Sequence, residues 1–163
     1  MSDTSDIRLP RAGDLEELVA LWERSVRATH RFLSDEDIVK LRPQVRDALR
    51  HDELDLWVLA DADDTPTGFL GLAGNDISAL FLDPATRNRG AGRRLIAHAQ
   101  SLRVGELTVD VNEQNPAAIG FYEALGFVVV GRSPLDDEGR PFPLLHMRRA
   151  APRGSHAPAR ASW

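Results

Sequence analysis

A chain of 163 residues with 42% apolar content is long enough for one domain with a real core and short for two. Its net charge of -5 argues against general nucleic-acid binding, and the absence of cysteine excludes disulfides, thiolate metal sites and a cysteine nucleophile. No run approaches the ~20 apolar residues that span a bilayer and no basic-then-apolar leader is present, so the expectation is a soluble, cytoplasmic protein with no membrane partner.

In chain order, residues 7–9 suit an edge strand that Pro10 stops. Asp14 reads as the N-cap of a first helix, with Glu17 at the capping-box position and Leu15, Leu18, Val19, Trp22 and Val26 on one apolar stripe. Residues 28–33 break that pattern. Ser34 then caps a second helical stretch through Ile38, Leu41, Val45 and Leu49, which Pro43 is expected to bend or interrupt. Residues 56–60 and 68–73 form a hairpin around a turn holding Asp61, Asp63 and Asp64, read as solvated turn residues, so no metal is assigned. Gly74-Asn75 turns the chain into a third strand, residues 76–82.

The chemistry concentrates in the loop after this strand. Asp83-Pro84 ends the strand, and Leu95, Ile96, Ala99 and Leu102 recur at helical spacing. Between them Gly90 and Gly92 let the backbone approach a ligand, and a helix start offers N–H groups and a positive dipole to a pyrophosphate, helped by Arg87, Arg89, Arg93 and Arg94. No Gly-Lys-Ser/Thr is present after the glycines, and a third glycine is missing, so neither the Walker nor the dinucleotide pattern applies. Residues 107–111 read as the next strand, reached across a helix and so parallel to its predecessor. Pro116 opens a helix carrying Ala118, Phe121, Tyr122 and Leu125, which Gly126 ends. Residues 128–132 and 144–148 are antiparallel strands around a polar loop. One domain over residues 1–149 with an unstructured tail, 150–163, is the expected organisation.

Two motifs carry a resemblance. Arg87-x-x-Gly90-x-Gly92 after an apolar strand resembles the acetyl-CoA pyrophosphate loop of the GNAT superfamily of N-acetyltransferases. Asn115-x-x-Ala118-x-x-Phe121-Tyr122-x-x-x-Gly126-Phe127 resembles its downstream motif, and the similarity extends from Ile7 to Arg149. LWERSVRATHRFL, VNEQNPAAIGFYEALGF and GRSPLDDEGRPFPLL resemble the YjaB-type subgroup. The fold implied is α/β (α+β), a mixed, largely antiparallel central sheet with helices on both faces. The activity implied is transfer of the acetyl group of acetyl-CoA to a primary amine by direct attack in a ternary complex.

Carried over by position, the resemblance assigns the backbone of Leu80, Phe81 and Leu82 to pantetheine, and Arg87, Asn88, Arg89, Gly90, Ala91, Gly92, Arg93 and Arg94 to the pyrophosphate. Asn115 would hydrogen-bond the CoA arm. Tyr122 would sit near the thioester sulfur as general acid. The base is open among Glu113, His30, Asp76 and His146, and His30, Phe32, Leu33 and His146 are the candidates for the acceptor side. The implied partner is a small-molecule or peptide amine, with a homodimer left open. A noncatalytic acyl-CoA sensor, a transferase for longer acyl groups and a nucleotide-binding switch are the competing readings, the sensor having no need of Tyr122.

Overall fold

The computed structural model describes residues 6–50, 53–86 and 90–151. Along them run β1 (Asp6–Arg8), α1 (Leu15–Thr29), α2 (Asp35–Arg50), β2 (Asp55–Ala60), β3 (Pro66–Ala73), β4 (Asp76–Leu82), a 3₁₀ turn (Pro84–Thr86), α3 (Ala91–Leu102), β5 (Leu107–Asn112), α4 (Pro116–Ala124), β6 (Val128–Ser133) and β7 (Leu144–Arg149). The strands follow the hydrogen-bonded order β1-β2-β3-β4-β5-β7-β6 in a mixed, mostly antiparallel sheet. The β4–β5 pair is parallel, with Asp76 opposite Thr108 and Ile77 opposite Val109. The last strand in sequence, β7, inserts between β5 and β6 and pairs antiparallel with both.

The described residues fall into two compact units. The first holds β1, α1, α2, β2, β3, β4 from Ser78 onward and α3 up to Ala97. Its core joins Leu18, Val19, Leu21, Trp22 and Val26 of α1 to Ile38 and Leu49 of α2 and to Leu56, Val58 and Phe69 of the hairpin. Each such side chain contributes about 1.5–3 kcal/mol when fully buried, so this stripe, rather than surface charge, sets where α1 lies. Ion pairs then tie α1 to α2 along their exposed sides: Glu16 with Arg46 at 2.8 Å, Glu23 with Arg42 at 2.5 Å and Asp35 with Arg27 at 2.5 Å. Exposed pairs of this kind are worth about 0–1 kcal/mol each.

Two local expectations change here. Asp14 does not cap α1 through its side chain; its backbone is already helical (φ -80°, ψ -24°). The carboxylate instead accepts from Arg8 Nη1 at 2.8 Å and from the Arg11 N–H at 2.7 Å, a charged donor outcompeting neutral helix amides. Pro43 neither ends nor divides α2. Pro43 removes the N–H that would bond the Val39 carbonyl, and both residues lie exposed, so water can satisfy that carbonyl. Ser34 does cap α2: Ser34 Oγ accepts from the Asp37 N–H, and Asp37 Oδ2 accepts from the Ser34 N–H, in a reciprocal box.

The Asp14 pair makes stability depend on pH. Its hydrogen bond from Arg8, followed by that from the Arg11 N–H, holds the Asp14 carboxyl below the ordinary value of 3.8 against the opposing effect of burial. A lowered folded-state pKa gives stability that is present above the unfolded value and lost as pH falls through the folded one. Asp14→Asn should therefore lower the urea midpoint at pH 7, and the gap to wild type should shrink below about pH 4. A gap of equal size at pH 7 and pH 3 would mean that charge on Asp14 contributes nothing.

The second unit holds the first two residues of β4, the end of α3, β5, α4, β6 and β7. Leu107, Val109 and Val111 alternate inward along β5 while Thr108, Asp110 and Asn112 lie on its other side, the period-two pattern of a half-buried strand. α4 ends in a Schellman turn. The Phe127 N–H donates to the Tyr122 carbonyl and the Gly126 N–H to that of Glu123, with Gly126 at φ +94°, where a side chain would be strained. This closure brings Phe127, 2% exposed, edge-on to Tyr122 at 5.2 Å between ring centroids.

Candidate active site

The phosphate loop begins where β4 ends. Asp83 donates its N–H to the Thr67 carbonyl, and its Oδ1 accepts from the Ala85 N–H, which starts the 3₁₀ turn. Arg24 of α1 reaches Asp83 Oδ2 at 3.0 Å and Glu17 at 3.2 Å, fastening the exit of β4 to the helix beside it. Gly90 (φ +77°) then turns the chain into α3, and its carbonyl accepts the first helical bond, from the Arg94 N–H. Helix geometry leaves the N–H groups of Ala91, Gly92 and Arg93 without intrahelical acceptors. Ala91 and Gly92 are buried while Arg93 is exposed, so the helix start combines a packed backbone with a solvent-facing positive charge. Arg87, Asn88 and Arg89 lie outside the described residues. Leu80, Phe81 and Leu82 are half-buried and come after the last registered β4–β5 pair, Ile77↔Val109.

In the other unit, α4 carries the second motif. Asn115 is its N-cap, 6% exposed, with Oδ1 accepting from the Ala118 N–H at 3.2 Å. The cap engages that oxygen and leaves both amide hydrogens of Nδ2 as donors. Tyr122, likewise 6% exposed, stands edge-on to Phe121 and Phe127. Burial, and after it the negative charge of Asp76, pushes the phenol above its ordinary pKa of 10. Asp76 itself accepts from Thr108 Oγ1 at 2.7 Å, across the parallel β4–β5 pair.

The residues proposed for the base and the acceptor differ in their surroundings. His30 closes α1 and is pushed down to a pKa of about 4 by desolvation, so it is neutral at physiological pH. Thr29 Oγ1 donates to the Ser25 carbonyl and therefore accepts from His30 Nδ1 at 2.8 Å. That order puts the ring proton on Nδ1 and the basic lone pair on Nε2. Phe32 lies 5.4 Å from the His30 ring, while Leu33 packs against the core that α1 shares with α2 and the hairpin. Glu113 is held by Arg132 through contacts of 2.6 and 3.0 Å, which lower its pKa. His146, on β7, makes a third and separate arrangement: Nδ1 meets Asp110 Oδ1 at 2.6 Å and Nε2 meets Ser133 Oγ at 2.7 Å.

Sequence reasoning misses Arg132, Asp110 and Ser133. Asp110 sits at an outward position of β5, where a polar residue is the ordinary pattern, and Ser133 and Arg132 likewise carry no signal, since all three find their partners across the sheet or in a distant turn. Among the described residues, no cluster of three or more His, Cys, Asp or Glu could hold a metal, and no helix is long and apolar enough to cross a membrane.

Residues 32–149 match the family model of the acetyltransferase (GNAT) domain. The chain belongs to the GNAT acetyltransferases. Among its relatives, the peptidyl-lysine N-acetyltransferase YjaB of Escherichia coli (strain K12) is 50% identical over 141 residues, 86% of this chain and 94% of that protein. The solution structure of apo-form YjaB from Escherichia coli superposes with a TM-score of 0.80 at 48% identity, covering 90% of this chain and 97% of that one. The PaiA N-acetyltransferase of Thermoplasma acidophilum, solved in complex with coenzyme A, shares the fold with a TM-score of 0.71 at 22% identity, covering 92% and 99%. This GNAT protein is accordingly an acyltransferase-class enzyme, with the mixed sheet that its motifs implied.

Proposed function

We propose that this GNAT enzyme transfers the acetyl group of acetyl-CoA directly to a primary amine, with the side chain of a peptidyl lysine as the acceptor class. One observation carries the cosubstrate: a buried helix start at Ala91 and Gly92, entered through the positive-φ Gly90 at the end of the loop that follows β4 and flanked by Arg93 and Arg94. The 50% identity to a peptidyl-lysine N-acetyltransferase supports the acceptor. In this reading the backbone of Leu80 to Leu82 pairs with pantetheine and Asn115 Nδ2 donates to the CoA arm. Tyr122 supplies the proton that the departing thiolate takes.

A lysine amine of pKa near 10.4 is about three units from neutrality at pH 7.5, roughly 4 kcal/mol that desolvation or a base must offset. Proton removal falls to His30, already neutral with its proton on Nδ1 though a weak base at a pKa of about 4, or to Glu113, ionised beside Arg132. Variants separate the two. His30→Ala and Phe32→Ala should raise the amine KM or lower kcat by about tenfold or more while acetyl-CoA affinity stays near wild type. Glu113→Gln should act on kcat alone if Glu113 takes the proton. Variants at positions 30 and 32 that bind CoA poorly and accept every amine normally would remove that group from the acceptor side.

The reading as a whole is tested by release of the CoA thiol from acetyl-CoA in the presence of lysyl peptides, peptides with a free N-terminal amine, polyamines and free amino acids. Amine-dependent release, greatest with lysyl peptides, is expected. Release no faster than hydrolysis with every amine would overturn the proposed transfer, and the same assay with succinyl-CoA or longer acyl-CoA tests the acyl group.

A further inference from the structure

His146 is anchored at both ring nitrogens by side chains from two other strands. Asp110 of β5 is its direct cross-strand partner, and Ser133 ends β6 on the opposite side of β7. A carboxylate only accepts, so Asp110 at 2.6 Å fixes the proton on Nδ1 and leaves the Nε2 lone pair aimed at the Ser133 hydroxyl 2.7 Å away. The backbone makes room for this ring. An irregularity in β6 between Val129 and Gly131 sets Gly131 opposite His146, and a Cβ at position 131 would come within 3.3 Å of His146 Cδ2. The imidazole and carboxylate keep 35% and 41% of their side-chain surface, so small molecules reach them.

Carboxylate, imidazole and serine hydroxyl thus stand in the order and at the spacing of an activated serine nucleophile, an arrangement recognised by geometry and not by position in the chain. The acetyl transfer proposed above assigns no role to the Ser133 hydroxyl. We propose that Ser133, activated by His146 and Asp110, is the nucleophile of a second, CoA-independent activity: hydrolysis of small activated esters such as aryl acetates. Ser133 Oγ bonds to the ester carbonyl carbon as its proton passes to His146 Nε2. The carbon–alkoxide bond breaks, and the alcohol leaves with that proton. Water, deprotonated by the same nitrogen, then attacks the acyl-serine, releasing the acid and restoring the Ser133 hydroxyl.

The experiment uses the full chain without CoA, with p-nitrophenyl acetate as substrate and a fluorophosphonate as covalent probe. Wild type should hydrolyse the ester at least tenfold faster than Ser133→Ala or His146→Ala, and the probe should be found on the peptide containing Ser133. Lys40 is the one lysine of the chain, so acylation of that amine by the aryl ester is resolved from Ser133 on a peptide map. Labelling of wild type needs no variant and stands even where Ser133→Ala fails to fold. Ser133→Ala hydrolysing at the wild-type rate, or wild type carrying no probe on Ser133, would overturn the proposal. Neither result bears on amine acetylation.

Discussion

Gly92→Glu should lower acetyl-CoA affinity by well over tenfold, about 1.4 kcal/mol or more, in a protein that stays folded. The two halves of that expectation have separate causes. A carboxylate in the first turn of α3 agrees with the helix dipole, so the substitution does not oppose the helix itself. The same carboxylate puts bulk and negative charge on the N–H groups of Ala91, Gly92 and Arg93, where the pyrophosphate is proposed to sit. Because Gly92 is buried, the exposed neighbour provides a control: Arg93→Glu reverses a charge without touching the packing, and it should weaken binding in a salt-dependent way. Calorimetry that finds CoA affinity unchanged in a folded Gly92→Glu protein would remove the pyrophosphate from this helix.

The features legible in the sequence are local ones. β4 spans residues 76–82 as its pattern implies, Pro116 and Gly126 bracket α4, and Ser34 opens α2, because each is set by a period, a cap or a backbone restriction within a few residues. Where a residue has a choice of partners, the sequence is silent. Asp14 has every local feature of an N-cap, yet Arg8, six residues earlier, takes its carboxylate once β1 pairs with β2. Pro43 reads as a residue that bends or interrupts the helix, and that α2 is not interrupted depends on the exposure of the released carbonyl to water, which the sequence does not tell. The insertion of β7 between β5 and β6 brings Asp110 to His146 across 36 positions and Ser133 to it across 13, and no periodicity spans such distances. The family motifs, by contrast, are readable because they rest on short segments: a glycine turn into α3 and a Pro-opened, Gly-closed α4.

Tyr122→Phe should cut kcat by about 10²- to 10⁴-fold while leaving the fold and the affinity for acetyl-CoA close to wild type. The ring stays: its edge-on contacts with Phe121 at 5.0 Å and Phe127 at 5.2 Å need no hydroxyl. What is lost is the proton donor proposed for the thiolate. A phenol near 10 and a thiol near 8.5 already leave that transfer about 2 kcal/mol uphill, and burial with the charge of Asp76 raises the phenol further. Taken alone, that would make Tyr122 a poorer acid. A thiolate released into the same dry surroundings is destabilised by the same desolvation, however, so both pKa values rise and the mismatch does not grow in proportion. The raised phenol also guarantees a loaded donor across the whole working range, so no alkaline limb from Tyr122 should appear in the pH profile below about pH 10. The acid limb should instead follow deprotonation of the acceptor amine. Product release can mask slow chemistry in steady state, so the decisive measurement is a single turnover with an accepted amine. A Tyr122→Phe protein that transfers acetyl at the wild-type single-turnover rate would return Tyr122 to the aromatic packing of α4 and leave the thiolate to be protonated by water.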